Sequence, residues 1–62
     1  MSIQELKKYC QGVIENHPSF EEEVVDLFAL CVSEIEEGGS ETHEIQLCMS
    51  DIEELIEGES RD

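Results

Sequence analysis

Cations are scarce in this 62-residue chain: three Lys and Arg face 17 Asp and Glu, for a net charge of −14. Proteins grip nucleic acid by placing lysine and arginine on phosphates, so direct DNA or RNA binding is not expected. The same field repels anionic lipid and attracts basic surfaces. Long apolar runs are also missing. The longest, Leu27 to Val32, falls far short of the roughly 20 residues a helix needs to cross a bilayer, so no membrane association is expected. No cationic segment followed by an apolar stretch is visible, so no secretory signal is read. Cysteine is present three times, an odd number for a disulfide-stapled secreted mini-protein. The expected setting is the reducing cytoplasm. Aromatics are few, with one Tyr, two Phe and no Trp. High charge with few aromatics is one signature of disorder, but the apolar residues here recur at regular helical intervals.

Spacings that carry site chemistry are missing too. Cys10, His17, Cys31, His43 and Cys48 are the thiols and imidazoles available to a metal. Structural zinc sites pair ligands a few residues apart, and none of the five has such a partner. The alternating oxygen ligands and central glycine of an EF-hand are absent. Glu36 to Glu41, around Gly38-Gly39, is read as a solvated turn. A Cys–His nucleophile pair needs an electropositive setting to form the thiolate, and a chain this acidic supplies the reverse. No cofactor, metal site or catalytic residue is expected, and the chain is read as a non-enzyme.

What the sequence does contain is helix punctuation. Ser2 with Glu5 three residues later forms a capping box. Ile3, Leu6, Cys10, Val13 and Ile14 then line one helical face. Pro18 disfavours helical geometry at His17, so helix one spans about 2–16. Ser19 with Glu22 reads as a second capping box, opening a helix over about 19–37. Glu21, Glu22 and Glu23 favour its positive end. Its apolar face is broad, taking in Phe20, Val24, Val25, Leu27, Phe28, Cys31, Val32 and Ile35. A face this wide touches two neighbours, which makes helix two the central one. Gly38-Gly39 ends it. Ser40 or Thr42 caps a third helix over about 41–57, with Ile45, Cys48, Met49, Ile52, Leu55 and Ile56 on its apolar face. The capping-box match Ser50-Asp-Ile-Glu is read as false, because the apolar spacing runs through it unbroken. Gly58 is read as the stop, with Glu59 to Asp62 frayed. Gly12 sits mid-helix, either to admit a close backbone or with no role. The cysteines fall on apolar stripes, where a free thiol packs as a small hydrophobe. The whole chain is expected to be one acidic all-α domain, an up-down-up three-helix bundle. The alternative is a helical hairpin that dimerises through helix two.

The placement of charge points toward function. Glu34, Glu36 and Glu37 lie near the negative end of helix two, and Glu53, Glu54 and Glu57 near that of helix three. A carboxylate there is unfavourable by roughly 0.3–1 kcal/mol. Selection for solubility accounts for this; so does a docking surface. Two leucines bear on the choice. In projection, Leu30 lies among Glu23, Asp26, Glu34 and Glu37, away from the apolar face. Leu47 lies likewise among Glu44, Asp51 and Glu54. An apolar centre ringed by charge has the pattern of an interface anchor with a polar rim; contact with a second copy and absence of any role are the other readings. The candidate partner-binding set is Glu22, Glu23, Asp26, Leu30, Glu34 and Glu37 on helix two, with Glu44, Leu47, Asp51 and Glu54 on helix three.

In size and charge the chain resembles small accessory proteins of phages and mobile elements, and acidic inhibitors that imitate nucleic acid; no motif carries that resemblance. The expected function is a binding module that docks on a basic protein surface. One such surface is the phosphate-binding groove of a nucleic-acid enzyme, which the module would inhibit or modulate. The alternatives are a structural homo-oligomer or assembly subunit whose acidity serves solubility, and a weak metal-binding or catalytic protein. Whatever the function, crowded like charge opposes compaction. The melting temperature should rise between low and moderate salt, by about 4–8 °C for each kcal/mol of repulsion screened. A melting temperature that falls steadily over that range contradicts this.

Overall fold

The computed structural model describes residues 2–60 and consists of three α-helices and a short 3₁₀ turn. Helix α1 is Ile3–Asn16, α2 is Glu21–Glu36 and α3 is Glu41–Ser60. Each helix packs on both others; the α2 interfaces are the larger ones. The links are too short to return the chain for a parallel neighbour, so successive helices run antiparallel. The molecule measures 38 × 18 × 18 Å. This is the expected three-helix bundle with α2 central, and one chain closes its own core without a second copy.

That core contains Leu6, Cys10 and Val13 of α1, Val24 and Cys31 of α2, and Ile45, Cys48 and Ile52 of α3. All eight come from the apolar stripes of the sequence. Among the described residues no polar or charged side chain is buried. The broad face of α2 exceeds what two neighbours cover: Val25 remains 50% exposed.

The ends of α1 follow the local signals. The Ser2 hydroxyl accepts a hydrogen bond from the Glu5 amide at 3.3 Å. At the other end the His17 amide donates to the Val13 carbonyl at 2.7 Å, and the His17 ring stacks on Phe20 at 6.0 Å. The expected Ser19 cap does not form. Pro18–Phe20 is a 3₁₀ turn, and α2 starts at Glu21 after Phe20, which gives no side-chain cap. Proline pre-sets the dihedral of a first helical position. Turning therefore begins at Pro18, and Ser19 lies inside the turn, where it cannot take the extended backbone of a cap. Glu21, Glu22 and Glu23 of the first turn remain to offset the free amides.

The corner between α2 and α3 is closed by backbone. The Gly38 amide donates to the Ile35 carbonyl at 3.1 Å and the Gly39 amide to the Glu34 carbonyl at 2.9 Å. This double closure is a Schellman motif. Gly38 has a φ of +108°, a region side chains resist. Gly39 is required for another reason: a Cβ there would lie 2.9 Å from the Glu34 carbonyl oxygen. Ser40 then caps α3, accepting from the His43 amide at 3.4 Å.

Gly58 does not stop α3, which continues to Ser60. Glycine permits a left-handed terminus without enforcing one, and Gly58 keeps a negative φ. Glu53 and Glu54 consequently lie well before the last turn, so their conflict with the dipole largely disappears; Glu57 keeps it. The fraying expected of Arg61 and Asp62 lies outside the described residues. Ser50 is interior to α3, so its capping-box match is indeed false. Gly12 admits no close neighbour, since a Cβ there meets nothing within 4 Å.

These three glycines separate cleanly by mutation. Gly12→Ala should stabilise the protein by up to about 1 kcal/mol through helix propensity. Gly38→Ala should destabilise it by about 1–2 kcal/mol through left-handed strain, and Gly39→Ala should also destabilise, through the contact with Glu34. Urea unfolding of the three variants measures this; equal effects at Gly12 and Gly38 would refute it.

Candidate functional site

On α2, residues spaced three and four apart share a face, so Glu23, Asp26, Leu27, Leu30 and Glu34 form one stripe. Glu44, Leu47, Cys48, Asp51, Glu54 and Leu55 do the same on α3. The antiparallel corner lays the two stripes side by side in a continuous groove. Near the corner the groove is lined by Leu30 and Glu34 of α2 with Glu44 and Leu47 of α3. Leu27 and Asp51 lie at its middle. Beyond them come Glu23 and Asp26 with Glu54 and Leu55. As the numbers fall along one wall they rise along the other.

Leu30 is 58% and Leu47 48% exposed, and the two share this one groove. Six carboxylates stand on its walls, three per helix, and no lysine or arginine lines it among the described residues. Eight of the ten residues selected from sequence are therefore brought together. Glu22 and Glu37 are not. Glu22 is rotated about 100° from Glu23, and Glu37 is the C-cap of α2, where the helical stripe has ended. Leu27 and Leu55 are groove residues that the sequence reading placed only in the core; each is half-buried. Their signal was available, since each lies on a boundary between the apolar and acidic faces.

Beneath the groove lies a second convergence. Cys10, Cys31 and Cys48, one from each helix, are free and buried. Cys31 and Cys48 reach the groove floor. The Cys48 thiol hydrogen-bonds Cys31, lowering the pKa of Cys31 and raising its own. Burial nevertheless dominates and pushes Cys48 up to about 12, with Cys10, Cys31 and Asp51 adding to it. Burial also raises Cys31, assisted by Glu44 on the groove wall. Cys10 rises through burial and then through Cys31. On α1, Tyr9 is raised by burial and by Glu53 of α3. Among the described residues no cluster of three or more His, Cys, Asp or Glu is arranged to hold a metal ion, and no helix is long and apolar enough to cross a membrane.

The thiols give a prediction with a definite sign. A folded pKa raised above the ordinary value means that the native state holds its proton longer than the unfolded chain. The contribution is fully present below pH 9 and is lost as pH rises from 9.0 toward about 12 for Cys48. Alkaline titration of stability should fall across that window, and less steeply in Cys48→Ala. At pH 8 a thiol reagent should label the three cysteines far more slowly in the folded protein than in urea, because burial shields the thiols and holds them in the neutral form. Rapid labelling of the folded protein at pH 8 contradicts this.

No family model, curated protein or solved structure matches the chain.

Proposed function

We propose that this protein is a binding module that docks the acidic α2–α3 face on a basic protein surface, in the cytoplasm. The observation that carries the reading is the groove itself, with two exposed leucines between two rows of carboxylates. Long-range attraction speeds encounter, and packing of the leucines slows release. A surface of this sign competes for sites that otherwise hold phosphate. Inhibition or modulation of a nucleic-acid enzyme, as phage-like accessory proteins achieve, is the form of action proposed. One further feature favours binding over catalysis. The thiols are pushed away from the ionised form that nucleophilic chemistry requires.

The Val25 face supports a second reading, self-association. Val25 lines an opening between α1 and α2 with Ile14, Phe28 and Lys7 and without a carboxylate. Two such acidic chains would meet there with little repulsion. Sedimentation of the parent and of Val25→Glu decides it: a dimer lost in the variant establishes this reading.

Docking is tested by capture from lysate at low and high salt, with duplex DNA as competitor, followed by kinetics on the captured protein. Replacing Asp26, Glu34 and Glu54 with Asn and Gln should slow association about tenfold or more at low salt and flatten the salt dependence. Leu30→Ala should speed dissociation with the salt dependence unchanged. Unaltered binding by the charge variant, with loss only on core changes such as Val24→Ala, makes the acidic face a solvated surface.

A further inference from the structure

The α2–α3 groove favours one class of occupant. We propose that it seats a basic amphipathic helix of a partner protein, laid along the groove as a fourth helix of the bundle. The inference rests on the docking reading above and names its ligand.

Length comes first. The groove runs from Glu23 to Glu34 along α2, about 16 Å at 1.5 Å per residue, which is three turns of helix. Its walls are two antiparallel helices, and a third helix packs on such a pair by setting its side-chain ridge between them.

Backbone chemistry selects the helix over an extended peptide. The groove walls are helical throughout, with their amides and carbonyls bonded internally, and there is no sheet edge among the described residues. A strand laid here would find no backbone partners for the groups it buried. A helix brings its backbone bonds already made. Its residues at i, i+3 or i+4, and i+7 would meet the apolar floor of Leu27, Leu30 and Leu47.

Charge sets the flanks. Carboxylates stand along both walls, at Glu23, Asp26 and Glu34 on one side and Glu44, Asp51 and Glu54 on the other. An occupant with Lys or Arg on both sides of its apolar stripe pairs with both rows. Nucleic acid meets like charge here. So does a second copy of this chain, which carries −14 of its own. Basic helices are also elements that proteins lay along nucleic-acid grooves, which joins this ligand to the phosphate-mimic reading.

The probe is a synthetic peptide of about 15 residues, long enough for an isolated helix to begin to hold, with Leu at i, i+4 and i+7 and Lys on both flanks. A scrambled peptide of identical composition keeps the charge and loses the apolar stripe. NMR titration at low salt should show the amphipathic peptide binding at least about tenfold tighter than the scramble, with shifts at the Leu30 and Leu47 methyls. Leu30→Ala/Leu47→Ala should abolish that preference while its circular dichroism remains helical. Equal binding of the two peptides, or a preference that survives the double variant, overturns the helix-seat inference and leaves acidic docking standing. Shifts confined to Val25 and Phe28, or groove shifts that grow with protein concentration alone, overturn it in favour of another face or a second copy. Binding of neither peptide sinks the docking reading as well.

Discussion

The corner at Gly38 and Gly39 sets the register between α2 and α3, and most of what distinguishes this molecule depends on that register. Two amide-to-carbonyl bonds fix where α2 stops, and the Ser40 hydroxyl fixes where α3 starts. With both ends set, Leu30 and Glu34 of α2 come to line one groove with Glu44 and Leu47 of α3. A shift of one residue in either helix would rotate its stripe by about 100°. The leucines would then separate, and the two acidic rows would no longer border a common floor. Backbone geometry at two glycines thus controls a surface that lies up to three turns away.

The core under that surface is assembled from small parts. No aromatic side chain is fully buried, and three of the eight buried residues are cysteines. Small side chains let the helices approach closely, and a thiol satisfies its weak polarity on a neighbouring sulfur. The same burial that fits the cysteines into the core removes their reactivity. The acidic surface works against this modest core. Glu34, Glu36 and Glu37 gather at the negative end of α2, which has no basic residue in its last turn. Of the three only Glu34 lines the groove, so the charge that opposes the α2 dipole is spread past the corner as well as along the groove wall.

Most of the architecture was readable in the sequence because it is encoded locally. The Ser2 cap, the break at Pro18 and the Gly38-Gly39 corner each act within a few residues, and 3.6-residue periodicity identified all eight core positions. The failures were competitions between local signals. Ser19 matched a cap, but the adjacent proline had already begun the turn. Gly58 matched a stop, but a glycine permits a helix end without imposing one, and α3 runs on to Ser60. The convergences were not readable residue by residue. Each cysteine was assigned correctly to an apolar stripe, and each leucine to an acidic face. That the three thiols meet, and that the leucines share a groove, follows only from the register between helices, which no single stripe contains.

The continuation of α3 past Gly58 divides the helix into two regimes of motion. Around Ile52 the helix is held by the core, and its amides open only when the molecule unfolds. Beyond Ile56 no core residue contributes among the described side chains, and Glu57 and Gly58 are exposed, so hydrogen bonds along the helix hold these two residues. Local opening there is nearly free. Amide hydrogens should therefore exchange with solvent in a steep gradient along α3, from protected at Ile52 to fast at Gly58, within what looks like one continuous rod.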